Sequence, residues 1–395
     1  MISHVRALAA DIGPRGTGTS GEEAAARYVA GRLTAMGLPV EQQSFRAVAS
    51  QNAFPLVICL LALLAVLLYP LSGNLLRWLA AILAAATAPL LLQTIRTSNN
   101  WLRPLLLKVT SRNVIGRSEP RVEVRERVVL LAHLDTNRCR LVWRAGRLGA
   151  LEPLTFLTLT VLAALGLLYI FGALLGMRRL ATAGPDWIWL VSLAPAAYVV
   201  GMVATLWKDD RTGYSCGAHD NAASVAVALA VGSQLATHPL RYTQVWLAFT
   251  GAEETDHSGL YALLRRHRNL LSNAAFIGLE GLGSGDLVYL IRQGLCFRYR
   301  PDPQLLAVAE RCAAQLPDLQ ARPAQMVGED ETGTLRRTGY RAICIAGRDP
   351  ATGTLPHWHR ADDTADTVSD LFMARAARFV IAMLNELDGL QAVRR

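Results

Sequence analysis

Residues 128–137, VVLLAHLDTN, set a short apolar run before a histidine and an aspartate two positions apart. A run of this length without polar alternation reads as a strand buried on both faces. Three more stretches have the same character: TQVWLAFTG (243–251), AAFIGLEG (274–281) and YRAICIAG (340–347). Longer helix-favouring segments, 222–236 and 370–387, lie between or after them. Strands and helices that alternate in this way predict an α/β fold, a three-layer αβα arrangement with a mostly parallel mixed sheet.

An open α/β sheet places its site beyond the carboxyl ends of its strands. His133 and Asp135, Glu253 and Glu254, and Glu280 each fall at such an end. Alternate strand positions share a side, so His-x-Asp can aim an imidazole into a site while the carboxylate holds the other ring nitrogen. In FTGAEETDHSG (249–259) two adjacent glutamates follow a strand. They favour a helix N-terminus electrostatically, but the pair also allows one carboxylate to ligate a metal while its neighbour takes a proton from water. GAHDNAAS (217–224) offers Asp220 and Asn221 as N-cap residues, or Asp220 as a carboxylate shared between two cations. LPHWHRADDTADT (355–367) adds His357, His359 and Asp363. Two histidines with several carboxylates form an N/O donor set suited to zinc without thiolate.

The 395-residue chain is 52% hydrophobic and only 18% charged, too apolar for an ordinary soluble protein. Four runs without Asp, Glu, Lys or Arg carry the excess: 54–71, 78–95, 153–177 and 187–207. Each is near the ~20 residues that cross a bilayer, and short connections pair them into two hairpins. The expected organisation is a discontinuous polar domain, 1–50, 98–150 and 208–395, interrupted by transmembrane hairpins at 51–97 and 151–207.

Span-flanking basic residues on the polar side are Arg46, Arg96, Arg103, Lys108, Arg138, Arg140, Arg144, Arg147, Lys208 and Arg211. The hairpin tips carry Arg77, Arg178 and Arg179. This bias predicts a multi-pass membrane protein with a cytoplasmic polar domain, and MISHVRALAADIGPRG has no apolar core of signal-peptide length. The net charge of +9 is scattered and lacks interleaved aromatics, so the expected partner is the lipid bilayer and not nucleic acid. Six cysteines show no Cys-x-x-Cys spacing, which indicates neither a zinc ribbon nor a disulfide framework. The spans hold no ionisable residue of the kind that marks an ion path, so anchoring is preferred to transport.

The order HLD, GAHDN, AEE, LEG and HRADDT, with the opening GTGTSGEEAAARYVAGRL and SRNVIG (111–116), resembles the M28 family of zinc peptidases. The resemblance implies a zinc-peptidase fold and two co-catalytic Zn2+ ions. It implies His133 and Glu280 on one zinc, Glu254 and His359 on the other, and Asp220 bridging. It further implies Asp135 orienting His133 and Glu253 acting as general base and acid. Members commonly have aspartate where this chain has His219 and Glu280, and GEDETGTLRRTGYRAICI (328–345) follows the family only loosely. The expected activity is zinc-dependent exopeptidase action, foremost aminopeptidase hydrolysis of peptides. The alternatives are a carboxypeptidase, a small-amide hydrolase, or a non-catalytic peptidase-like membrane scaffold.

Overall fold

The computed structural model describes residues 1–71, 73–143, 148–176 and 186–393. Arg144, Arg147, Arg178 and Arg179, which entered the reading of sidedness, and Met177, the expected end of the third span, lie outside the described residues. The chain forms two compact units, one of residues 1–49, 108–139 and 213–395, the other of residues 50–107 and 140–212.

The first unit is built on eight strands: β1 (Val40–Val48), β2 (Lys108–Ser118), β3 (Glu126–His133), β4 (Thr243–Thr250), β5 (Ala275–Glu280), β6 (Asp286–Gln293), β7 (Arg322–Met326) and β8 (Arg341–Arg348). Their order is β1-β2-β4-β3-β5-β8-β6-β7. The four strands expected from their apolar runs are adjacent and parallel, β4-β3-β5-β8, and antiparallel pairs flank them on both sides. All eight residues of β4 are buried.

Alternate strand residues divide two cores, and this produces the three layers. Val128, Leu130, Val245, Leu247, Ile277 and Ile343 face the Ser20–Ala35, Ser224–Thr237 and Asp370–Val393 helices. Val129, Leu131, Trp246, Ala248, Phe276 and Ala342 face the Ser258–Arg266 and Glu331–Arg337 helices. Removing one such side chain, as in Leu247→Ala, would cost ~2–5 kcal/mol through lost burial and the cavity left behind.

The Ser20–Ala35 helix is capped by the residue before it. Thr19 is the N-cap and accepts from the Glu22 N–H, because Ser20 already has helical backbone. The Glu22 side chain turns inward and accepts from Gly18 N and Ser111 Oγ at 2.6 and 2.7 Å, and from Ala252 N.

The second unit holds the apolar helices. Among the described residues three are long and apolar enough to cross a membrane: Asn74–Thr97, Leu151–Gly176 and Trp187–Asp209. This is fewer than the four spans expected. The first apolar run forms a shorter helix of 16 residues, Ala53–Leu68, which stops ahead of Pro70, a residue with no N–H for the next helical bond. Gly166 lets two helices approach closely, since a Cβ there would come within 2.8 Å of Ala85 Cα. Tyr69 stacks on Tyr169 at 4.2 Å, Tyr169 bonds Ser192 at 2.8 Å, and the Trp189 indole donates to Val66 O at 3.0 Å. These bonds satisfy polar groups that lipid would leave unpaired.

Candidate metal centre

β3 and β4 end in register, His133 opposite Thr250, and β5 ends at Glu280. The chain leaves β4 through Gly251 and Ala252 into a single helical turn, Glu253–Asp256. Ala252 has φ +55, a left-handed conformation uncommon for a residue with a side chain. The sharp turn sets Glu253 and Glu254 beside the strand ends.

Asp135 fixes that turn. Its Oδ1 accepts from Glu253 N at 3.0 Å, and its Oδ2 from Glu254 N at 3.1 Å and Thr17 Oγ1 at 2.8 Å. The carboxylate therefore caps the helix start instead of holding His133, as the sequence suggested. The Asp135 backbone carbonyl bonds His133 Nδ1 at 2.9 Å, whereas the carboxylate is 3.7 Å away. The imidazole is still oriented by Asp135, but through the main chain, and its Nε2 points to the acidic side chains.

Arg15 ties three segments around the same point. This buried guanidinium donates to the carbonyls of Leu8, Gly13, Leu134, Cys216 and Gly217 at 2.7–3.0 Å. Burial lowers its pKa to about 10. Gly217, at φ +61, packs so tightly that a Cβ would collide with Thr136, and it admits the chain into the turn carrying Asp220. Asp363 holds that turn from outside, accepting from His219 N at 2.7 Å and Asp220 N at 3.3 Å.

Five expected ligands converge. His133 Nε2 lies 3.1 Å from Asp220 Oδ1 and 3.5 Å from Glu280 Oε2. His359 Nε2 lies 3.0 Å from Asp220 Oδ2 and 3.1 Å from Glu254 Oε1. Tetrahedral ligands around one zinc stand about 3.4 Å apart, so both triads have the right spacing. Glu253 Oε2 is 4.0 Å from His133 Nε2, at the edge of the first triad. His357 is not part of the cluster: its ring lies tilted against His219 at 4.9 Å and pairs with Asp362 at 3.2 Å.

The electrostatics of the cluster suit it to a cation. Burial pushes the Glu253 and Glu280 carboxyls well above the usual range. Burial opposes protonation of His133 and His359, but the surrounding carboxylates outweigh it, raising His133 well above its ordinary value and His359 to about 9. Asp220 is held below its ordinary value because its histidine partners overcome the effect of burial. Asp220 Oδ2 is buried and has no hydrogen bond, despite its distance of 3.0 Å from His359. The short distance without hydrogen-bond geometry is what two ligands of one ion would show, and the N/O donor set fits zinc.

Several neighbours were not singled out from sequence. Asn137 Nδ2 donates to Glu254 Oε2 at 2.8 Å, and Asn221 Nδ2 to Glu280 Oε2 at 3.1 Å, so an amide steadies one oxygen of each glutamate. Asn221 lay in a quoted motif but read as a cap, and Asn137 directly follows HLDT. Glu22, beneath the turn, is raised to about 8 by burial and then by Asp135. Glu331 and His257 lie behind Glu253.

The model of Peptidase family M28 matches residues 204–384, which contain Asp220, Glu253, Glu254, Glu280 and His359 but not His133 or Asp135. No curated protein matches the sequence. Among solved structures, a Zn-dependent exopeptidase from Parabacteroides distasonis is 15% identical, with 96% of this chain and 94% of that chain covered and a TM-score of 0.55. BSAP, a zinc aminopeptidase from Bacillus subtilis, is 15% identical over 98% and 94%, also at 0.55. A glutaminyl cyclase from Bacteroides thetaiotaomicron is 16% identical over 97% and 96%, again at 0.55. Residues 204–384 thus resemble peptidase family M28, and the chain shares its α/β fold with solved zinc peptidases.

Proposed function

We propose that this protein is a membrane-anchored aminopeptidase with two zinc ions. The observation that carries the reading is the position of Asp220, whose two oxygens each face a different imidazole at about 3 Å. His133 and Glu280 would hold one zinc, Glu254 and His359 the other, with Asp220 shared. Zinc in such a site supplies Lewis acidity, polarising a carbonyl and lowering the pKa of coordinated water. Glu253, beside the first triad but outside both ligand sets, accepts the proton from the attacking water and delivers it to the leaving nitrogen. Asp135 keeps Glu253 and Glu254 in place through their backbone N–H groups.

Likeness to a zinc aminopeptidase and a zinc exopeptidase supports hydrolysis of terminal residues. Glutaminyl cyclases with the same fold favour a second reading, intramolecular cyclisation of an N-terminal glutaminyl residue. Assays on aminoacyl, peptidyl, N-acyl and glutaminyl substrates separate these readings and the carboxypeptidase alternative. Glu253→Gln tests the proposal directly: it should keep about two zincs and lose hydrolysis by orders of magnitude. Wild-type rates in this variant would sink the role of Glu253, and less than one zinc per wild-type chain would favour the scaffold.

The peptidase part would face the cytoplasm, as the excess of flanking Arg and Lys supports. In sealed right-side-out vesicles, protease added outside should spare the 212 region and cut the 178 region. The reverse pattern would place the site on the other side.

A further inference from the structure

His257 lies at the junction of the Glu253–Asp256 turn and the Ser258–Arg266 helix, with φ +50 and ψ +27. Glycine or asparagine adopts this left-handed conformation at lower cost, so a buried histidine here accepts backbone strain. The strain aims the ring in a definite direction. Nε2 lies 3.4 Å from Glu253 Oε1, and Nδ1 lies 2.9 Å from Oγ1 of the buried Thr334 on the Glu331–Arg337 helix. A carboxylate oxygen only accepts, so a contact with ionised Glu253 requires the proton on Nε2, and a neutral ring then accepts the Thr334 hydroxyl at Nδ1.

The two oxygens of Glu253 are consequently divided. Oε2 looks toward His133 and the metal ligands, while Oε1 looks toward His257. The 3.4 Å separation is slightly beyond hydrogen-bond length, as catalytic contacts often are before substrate engages. Glu329 and Glu331 also lie within the electrostatic reach of His257, so the ring stands among three carboxylates.

We infer that His257 is a positioning residue for Glu253: anchored by Thr334, it holds one carboxylate oxygen so that the other stays directed at the reacting water. The inference rests on Glu253 being the base. It does not require His257 to touch substrate or metal.

The test uses the full chain in detergent, loaded with zinc, on the best aminoacyl substrate. His257→Phe keeps volume and removes the ring nitrogens; it should lower kcat ~10–100-fold, with KM and zinc content little changed. His257→Gln restores a donor of similar reach and should recover part of kcat. Thr334→Val should lower kcat in the same direction and Thr334→Ser restore it, which keeps the test open if His257→Phe fails to fold. His257→Phe combined with Glu253→Gln should be no slower than Glu253→Gln alone.

Unchanged kcat in His257→Phe and Thr334→Val would overturn the inference. So would a loss that tracks zinc content or Tm and that Gln does not rescue. A fully active Glu253→Gln would instead defeat the underlying reading of the base, so the two failures are distinguishable.

Discussion

The carboxylate of Asp135 and the backbone N–H of Glu253 form a 3.0 Å hydrogen bond, and the second oxygen takes the next N–H, that of Glu254. One side chain at the end of β3 therefore sets the start of the turn that follows β4. Asp135→Asn keeps the shape but replaces one acceptor with an NH2 group that faces an N–H donor. Both glutamates should shift together, lowering kcat/KM and zinc affinity ~10–100-fold. Kinetics with zinc titration checks this, and wild-type values for both would contradict the placement of Asp135.

The strand ends were legible because parallel strands buried on both faces appear as uninterrupted apolar runs, and their ends carry the chemistry. β7, RPAQM, was not, since an exposed edge strand with a proline lacks that signature. The role of Asp135 was half legible: proximity to His133 followed from spacing, but the bond to residues 253 and 254 joins positions nearly 120 apart. Glu331 gave no signal, as an acid in a polar segment usually reads as solvated. The span lengths were read from charge-free composition, which does not register where Pro70 ends a helix.

The two triads share only Asp220, and metal stoichiometry should reflect this. His359→Ala removes a donor from one triad and should leave about one zinc per chain, as should Glu280→Ala through the other. Asp220→Ala should leave less than one. Elemental analysis after gel filtration reads the outcome, and equal zinc content in all three variants would refute a shared carboxylate.

Arg15 is buried and satisfies five carbonyls from segments that flank His133 and Asp220. Lysine carries its donors on one atom and cannot reach the carbonyls of Leu134, Cys216 and Gly217 at once. Arg15→Lys should leave at least two unpaired, at ~1–3 kcal/mol each. A lower Tm accompanied by weaker zinc retention is expected; a lower Tm with unchanged zinc retention would separate the arginine from the site.

Glu331 provides a test by pH. Burial raises its carboxyl from the ordinary 4.5 to about 7, with His257 opposing, and its Oε1 is buried without a hydrogen bond while Oε2 accepts from Thr250. Between these values the folded chain holds a proton that the unfolded chain has released. The stability contribution is therefore complete below about pH 4.5 and is lost as pH rises through 7. Glu331→Gln is neutral at every pH and lacks this loss. In metal-stripped protein, where bound cations do not alter the local field, the Tm of Glu331→Gln relative to wild type should rise from pH 5 to about 7 and level off towards pH 8. A constant difference across that range would mean that Glu331 keeps its ordinary pKa despite its burial behind Glu253.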